Sequence, residues 1–139
     1  MTCTFFGHRE CPEYVKPILQ AKIIDLIENK GVNKFYVGNH GEFDIMVYNV
    51  LKEISKEYDI QYNVVLAYMP NKEHNLEYTI FPEGIEKVPP RFAINWRNTW
   101  MIKNSDYVIT YVRYSFGGAA KFKELAIKQN KFVIDIYTR

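Results

Sequence analysis

Short apolar runs alternate with longer stretches of helical period along the whole chain. The runs Thr2–Phe6, Lys34–Val37, Gln61–Ala67, Tyr107–Val112 and Lys131–Tyr137 have the β-branched and aromatic composition of strands. Most are nearly continuously apolar, as parallel strands covered on both faces are. Between them, Glu42–Tyr58 places Phe43, Met46, Val47, Val50, Leu51, Ile54 and Tyr58 on one stripe with charges opposite. Tyr14–Lys30 repeats the pattern, with Ile18, Ala21, Ile24 and Ile27 as its apolar stripe, Pro17 in its first turn and Gly31 as its closing glycine. Further helices are predicted over Phe92–Asn104 and Gly118–Asn130. With right-handed crossovers, this order predicts an α/β fold: a single Rossmann-like domain over residues 1–139, with a five-stranded, mainly parallel sheet and helices on both faces.

A chain of 139 residues buries enough surface to fold without a disulfide or a metal. Lys and Arg number 18 against 16 Asp and Glu, and the signs are interleaved. This balance disfavours nucleic acid as the main partner, because phosphate-backbone binding concentrates cations on one face or tail. The N-terminus lacks the features of a secretory leader, and no apolar run approaches the roughly 18 residues of a membrane span. A cytoplasmic protein without a membrane partner is expected. Cys3 and Cys11 have no zinc-site or redox spacing and read as reduced thiols. No metal site and no cofactor are expected.

The segment Pro70–Arg91 breaks the alternation and exceeds the usual length of a connection. With Asn71, Glu73, His74, Glu77 and Tyr78 it is polar and aromatic together, which suits either a binding loop or a plain surface excursion.

Glycine is scarce. At ordinary usage, roughly 7%, a chain of this length holds about ten, and this one holds seven. Gly31 and Gly84 have ordinary helix-end or turn positions. The other five fall in loops predicted to leave the carboxyl ends of strands: Gly7 in the first, Gly38 and Gly41 in the second, Gly117 and Gly118 in the fourth. Ligands of open parallel sheets bind at that edge, and glycine before a helix N-terminus suits a phosphate. His8 and Arg9 share the first loop and His40 the second, while Asp44 lies in the early turns of the following helix. Neither GxxxxGK[ST] nor GxGxxG is present, which argues against an ATPase or a dinucleotide-dependent enzyme.

The segments TCTFFGHRE, VGNHGEFD, RNTWMIKNSDYVITYV and FGGAAKFKELAIKQNKFVIDI, taken in order, resemble the SLOG superfamily of LOG-type and DprA/Smf-type proteins, and most of all its small YpsA-like branch. The resemblance implies a Rossmann-like fold that binds a nucleotide or nucleotide derivative. LOG-type enzymes cleave the N-glycosidic bond of nucleoside 5′-monophosphates with an R-K-x-x-M helix motif and a P-G-G-x-G-T-x-x-E loop. Arg97 to Met101 is similar to the first, with Asn98 in place of the lysine. Phe116 to Glu124 is similar to the second, with the paired glycines and the Glu kept and the Pro, third Gly and Thr lost. On this resemblance Arg97 and Glu124 are the candidate catalytic pair, and Asp44 contacts a ribose hydroxyl.

The residue chemistry runs parallel. A carboxylate at Glu124 can stabilise the positive charge that develops as a glycosidic bond breaks, and Arg97 can hold a phosphate, a carboxylate or Glu124 itself. A salt bridge between the two is the structural alternative. Trp96, Trp100, Tyr111, Tyr114 and Phe116 are expected to gather near the fourth strand, to stack a base or to form a homo-oligomer contact. Three functions follow: a module binding a nucleotide-derived small molecule, such as a sensor; a nucleoside-monophosphate N-glycosidase; and a single-strand nucleic-acid binder, which the charge pattern counts against. Ser105 and Asp106 read as structural.

Overall fold

The computed structural model describes residues 1–68 and 78–137. Its strands are β1 (Thr2–Gly7), β2 (Lys34–Val37), β3 (Gln61–Val65), β4 (Thr79–Ile80), β5 (Tyr107–Tyr111) and β6 (Phe132–Asp135). Its α-helices are α1 (Val15–Lys30), α2 (Glu42–Ile54), α3 (Ala93–Lys103) and α4 (Gly118–Lys128). The strands form one parallel sheet in the order β4-β3-β2-β1-β5-β6. The predicted α/β, Rossmann-like architecture is thus present, with six strands where five are expected. The added strand, β4, is two residues long and lies inside the segment 70–91, too short to show any period. The same segment carries two 3₁₀ turns, Ile85–Lys87 and Pro90–Phe92. Its residues 70–77, with Asn71, Glu73, His74 and Glu77, lie outside the described residues.

Alternate residues of the strands feed two cores, one on each face of the sheet. Phe5, Phe35 and Ile109 pack with α1 and α2, while Phe6, Tyr36 and Val108 pack with Met101 and Ile102 of α3 and Phe122 and Ala126 of α4. Helix α2 buries Phe43, Met46, Val47, Val50, Leu51 and Ile54, the stripe its period predicts. In α1 the stripe is corrected. The buried residues are Val15, Leu19, Ile23 and Leu26, while Ile18, Ile24 and Ile27 flank that line half-buried and Ala21 is exposed. Gly31 ends α1 in the left-handed conformation, φ 71°, as its position predicts.

Strand β1 lies at the centre of the sheet. The chain winds outward from it through β2, β3 and β4, then returns to its other side for β5 and β6. The reversal opens a crevice at the carboxyl ends of β1 and its two neighbours, where open α/β sheets bind ligands. Register is fixed there by Gly7 opposite Tyr111, and at the far end by Asp106, whose carboxylate accepts the Thr2 N–H at 3.0 Å. Among the described residues no helix is long and apolar enough to cross a membrane.

Candidate functional site

A cleft of about 360 Å³ opens at this crevice. Gly7 enters it at the end of β1, His8 and Arg9 from the loop that follows, His40 from the turn into α2, Asp44 from the first turn of α2, Arg97 and Asn98 from α3, and Gly118 and Ala119 from the start of α4. The side chains of Phe6, Ile94, Met101 and Phe122 form its apolar wall. Most of the residues predicted for the site therefore meet in one cavity of the size that takes a small organic ligand.

Arg97 organises the cleft floor. It is 2% exposed, a rare state for arginine, and every nitrogen of its guanidinium is engaged. Nε donates to Asn98 Oδ1 at 2.7 Å, Nη1 to Asn39 Oδ1 and to the Val65 carbonyl, each at 3.0 Å, and Nη2 stands 3.3 Å from His40 Nδ1. Burial lowers its affinity for the proton, opposed by Asp44, yet an arginine keeps its charge in proteins. Among the described residues no carboxylate comes within ion-pair distance of it.

Asp44 completes the floor. Its Oδ2 accepts the His40 N–H at 3.0 Å. Burial pushes its carboxyl up to about 6, against the His40 N–H and the Arg97 charge, which both favour ionisation. Both histidines are driven the other way. Burial lowers His40 below its ordinary 6.5, helped by Arg97 and Arg9. Burial also lowers His8, with Asp135 opposing and Arg113 helping. The His8 Nε2 accepts the Arg113 N–H at 2.7 Å and lies 3.4 Å from the Tyr114 nitrogen, so the ring ties the loop after β1 to the loop after β5.

The glycines divide into two groups. A Cβ on Gly7 would overlap the Phe43 side chain, one on Gly41 would stand 2.8 Å from the Arg9 Cα, and one on Gly38 would stand 3.0 Å from Asp44 Oδ2 and 3.3 Å from Arg97 Cζ. These positions let neighbouring parts of the fold close up. Gly117 and Gly118 meet nothing within 4 Å, so packing does not explain them. Gly41 and Gly117 cap α2 and α4 in nearly the same conformation, φ 96° ψ 173° and φ 95° ψ 177°, a region open essentially to glycine alone. Neither helix start has a side-chain cap, and Gly118, at the first turn of α4, lines the cleft. The start of α4 thereby offers unsatisfied N–H groups and the positive end of a helix dipole to a bound anion.

Glu124 stands apart. It is exposed on α4, it is not among the cleft-lining residues, and Arg97 reaches its partners without it. The Arg97–Glu124 pairing offered by the sequence is therefore not formed. The predicted aromatic gathering also divides. Trp96 packs near Ile85 and Ala67, Trp100 tilts onto Tyr36, Tyr111 stacks on Phe43 in the core, and Tyr114 stacks on Phe116 in the open. Asn39 and Asn98, which the sequence reading gave no role in holding Arg97, are signalled by their places beside His40 and next to the arginine.

The chain matches no family of known proteins and no curated protein. What the fold and the cleft define is a Rossmann-like α/β domain with a buried arginine and an uncapped helix start facing one cavity.

Proposed function

We propose that this cleft binds a nucleotide or nucleotide-derived ligand, with the phosphate at the start of α4 and the sugar over Arg97 and Asp44. The observation that carries the reading is the meeting, across a single cavity, of a buried Arg97 that forms no ion pair among the described residues and the open Gly118 backbone at the start of α4. Both features favour an anion. Asp44 and His40 add groups suited to sugar hydroxyls, and the Phe6, Met101 and Phe122 wall suits an apolar face. A role as a ligand-reading module agrees with what the resemblance to the SLOG superfamily implies. A cavity of about 360 Å³ fits one nucleotide better than a strand, so oligonucleotide binding is not favoured.

Titration calorimetry with the four common ribonucleoside 5′-monophosphates tests the reading. Saturable binding to at least one, weakened by Gly118→Ala with the fold intact, is expected. Absence of binding to all four, together with no nucleotide in the mass spectrum of the purified protein, would overturn it.

One observation favours turnover as a second reading. A carboxyl held near 6 beside a sugar site can protonate a departing base or position water, which makes Asp44 the acid–base candidate of the cleft in place of Glu124. Release of free base from a bound monophosphate, lost in Asp44→Asn while binding persists, is its mark.

A further inference from the structure

The loop between β5 and α4 carries a ring that packing does not account for. Phe116 is 70% exposed, the highest value among the exposed large hydrophobic side chains of the described residues, and it sits two residues before Gly118, which lines the cleft. Its position is nevertheless held. Phe116 stacks on Tyr114 with centroids 5.2 Å apart and planes inclined by 25°. Tyr114 in turn lies 5.2 Å from the His8 ring, with the Arg113 guanidinium 5.4 Å from its centroid. His8 lines the cleft and anchors this loop through the Arg113 N–H. The result is an aromatic column, His8–Tyr114–Phe116, that rises from the cleft and ends in a largely bare ring.

Distance links the column to the anion end of the cavity. Phe116 and Gly118 are two residues apart, so their Cα atoms lie within about 7.6 Å. A ligand whose phosphate rests on the Gly118 N–H can therefore extend a ring toward Phe116 without leaving the site. An exposed aromatic ring supported from beneath is the surface on which nucleobases stack, with a contribution that does not require hydrogen-bond readout.

We propose that Phe116 is the stacking platform for the ligand's base, so that the site selects nucleotides over bare sugar phosphates. This rests on the reading of the cleft as a nucleotide site. The sugar phosphate occupies the cavity, and the heteroaromatic ring lies at its mouth over Phe116.

The test compares the wild-type protein, Phe116→Ala and Phe116→Trp for binding of the four ribonucleoside 5′-monophosphates and of ribose 5-phosphate. The ring is exposed, so neither substitution threatens the fold. Wild type should bind its preferred monophosphate about tenfold or more tightly than ribose 5-phosphate. Phe116→Ala should lose about tenfold for the nucleotide and nothing for ribose 5-phosphate. Phe116→Trp should keep the nucleotide affinity and show a change in tryptophan emission on binding. Equal loss for both probes, no loss for either, or conversion of a dimer to a monomer by Phe116→Ala in sedimentation would overturn the assignment. Wild type binding both probes equally would overturn this inference and leave the cleft reading standing, whereas binding neither would overturn both.

Discussion

The Arg97 Nη2 stands 3.3 Å from Nδ1 of His40. A guanidinium has no acceptor, so Nδ1 must carry the lone pair and Nε2 the proton. The two side chains thus fix each other: burial and the arginine charge both favour the neutral ring, and His40 lines the cleft.

Arg97→Lys should not preserve this arrangement. One ammonium cannot reach Asn98, Asn39, the Val65 carbonyl and His40 together, so buried acceptors lose their donors. A loss on the order of 2–4 kcal/mol in urea unfolding is expected, with ligand affinity lost as well.

Asp44 gives a pH signature. The folded chain holds this proton up to about 6 and the unfolded chain releases it near 3.8. Its contribution to stability therefore declines as pH rises between those values, and the ionised group remains a cost above them. Asp44→Asn should be more stable than wild type near neutral pH, on the order of 2 kcal/mol, with the difference closing below 3.8. Urea midpoints across that range provide the check.

His8 has the opposite sign. Its folded value lies below 6.5, so the unfolded chain protonates first and stability is lost as pH falls from 6.5 through the folded value. Protonation of Nε2 also removes the acceptor of the Arg113 N–H. Hydrogen exchange at Arg113 and Tyr114, corrected for intrinsic rates, should quicken over that window, and His8→Phe should abolish the dependence.

The two groups of glycines should separate in mutagenesis. Gly7→Ala forces a methyl into Phe43 and should cost about 1–3 kcal/mol or more. Gly118→Ala has open space and a helical position, so its stability should change by less than about 1 kcal/mol while ligand affinity falls. Thermal unfolding and calorimetry on the same samples distinguish these outcomes.

Glu124→Gln should leave both properties nearly unchanged, within about 0.5 kcal/mol of stability, because the side chain is exposed and outside the cleft. A large loss of ligand affinity in this variant would return Glu124 to the site.

Much of the sheet and all four helices could be read from periodicity, because α2 and the central strands have unambiguous buried faces. Helix α1 was harder to phase. Its apolar residues cover a wide arc, and Ile18, Ile24 and Ile27 pass for the centre of a stripe that runs through Leu19, Ile23 and Leu26. Strand β4 is defined by hydrogen bonds to β3, such as Val64 N–H to the Tyr78 carbonyl, and no sequence period accompanies two residues. Of the site, the loop residues were accessible because glycine and topology mark the sheet edge. The distance of Glu124 from the cleft was not. Helical spacing brings Glu124 near the Gly117 turn only in projection, whereas Asp44 reaches the cleft through a neighbouring helix, a relation that depends on how α2 packs.

Strand β1 draws its partners from opposite ends of the chain, β2 soon after it and β5 roughly a hundred residues later. At ribosomal rates of about 5–20 residues per second, its second edge waits about 5 to 20 s for Tyr107–Tyr111 to emerge. During that interval Gly7–Arg9 and Gly38–Asp44 form one wall of a cleft whose other wall has not yet been made. The cleft is therefore complete only once α3, β5 and α4 have joined the sheet.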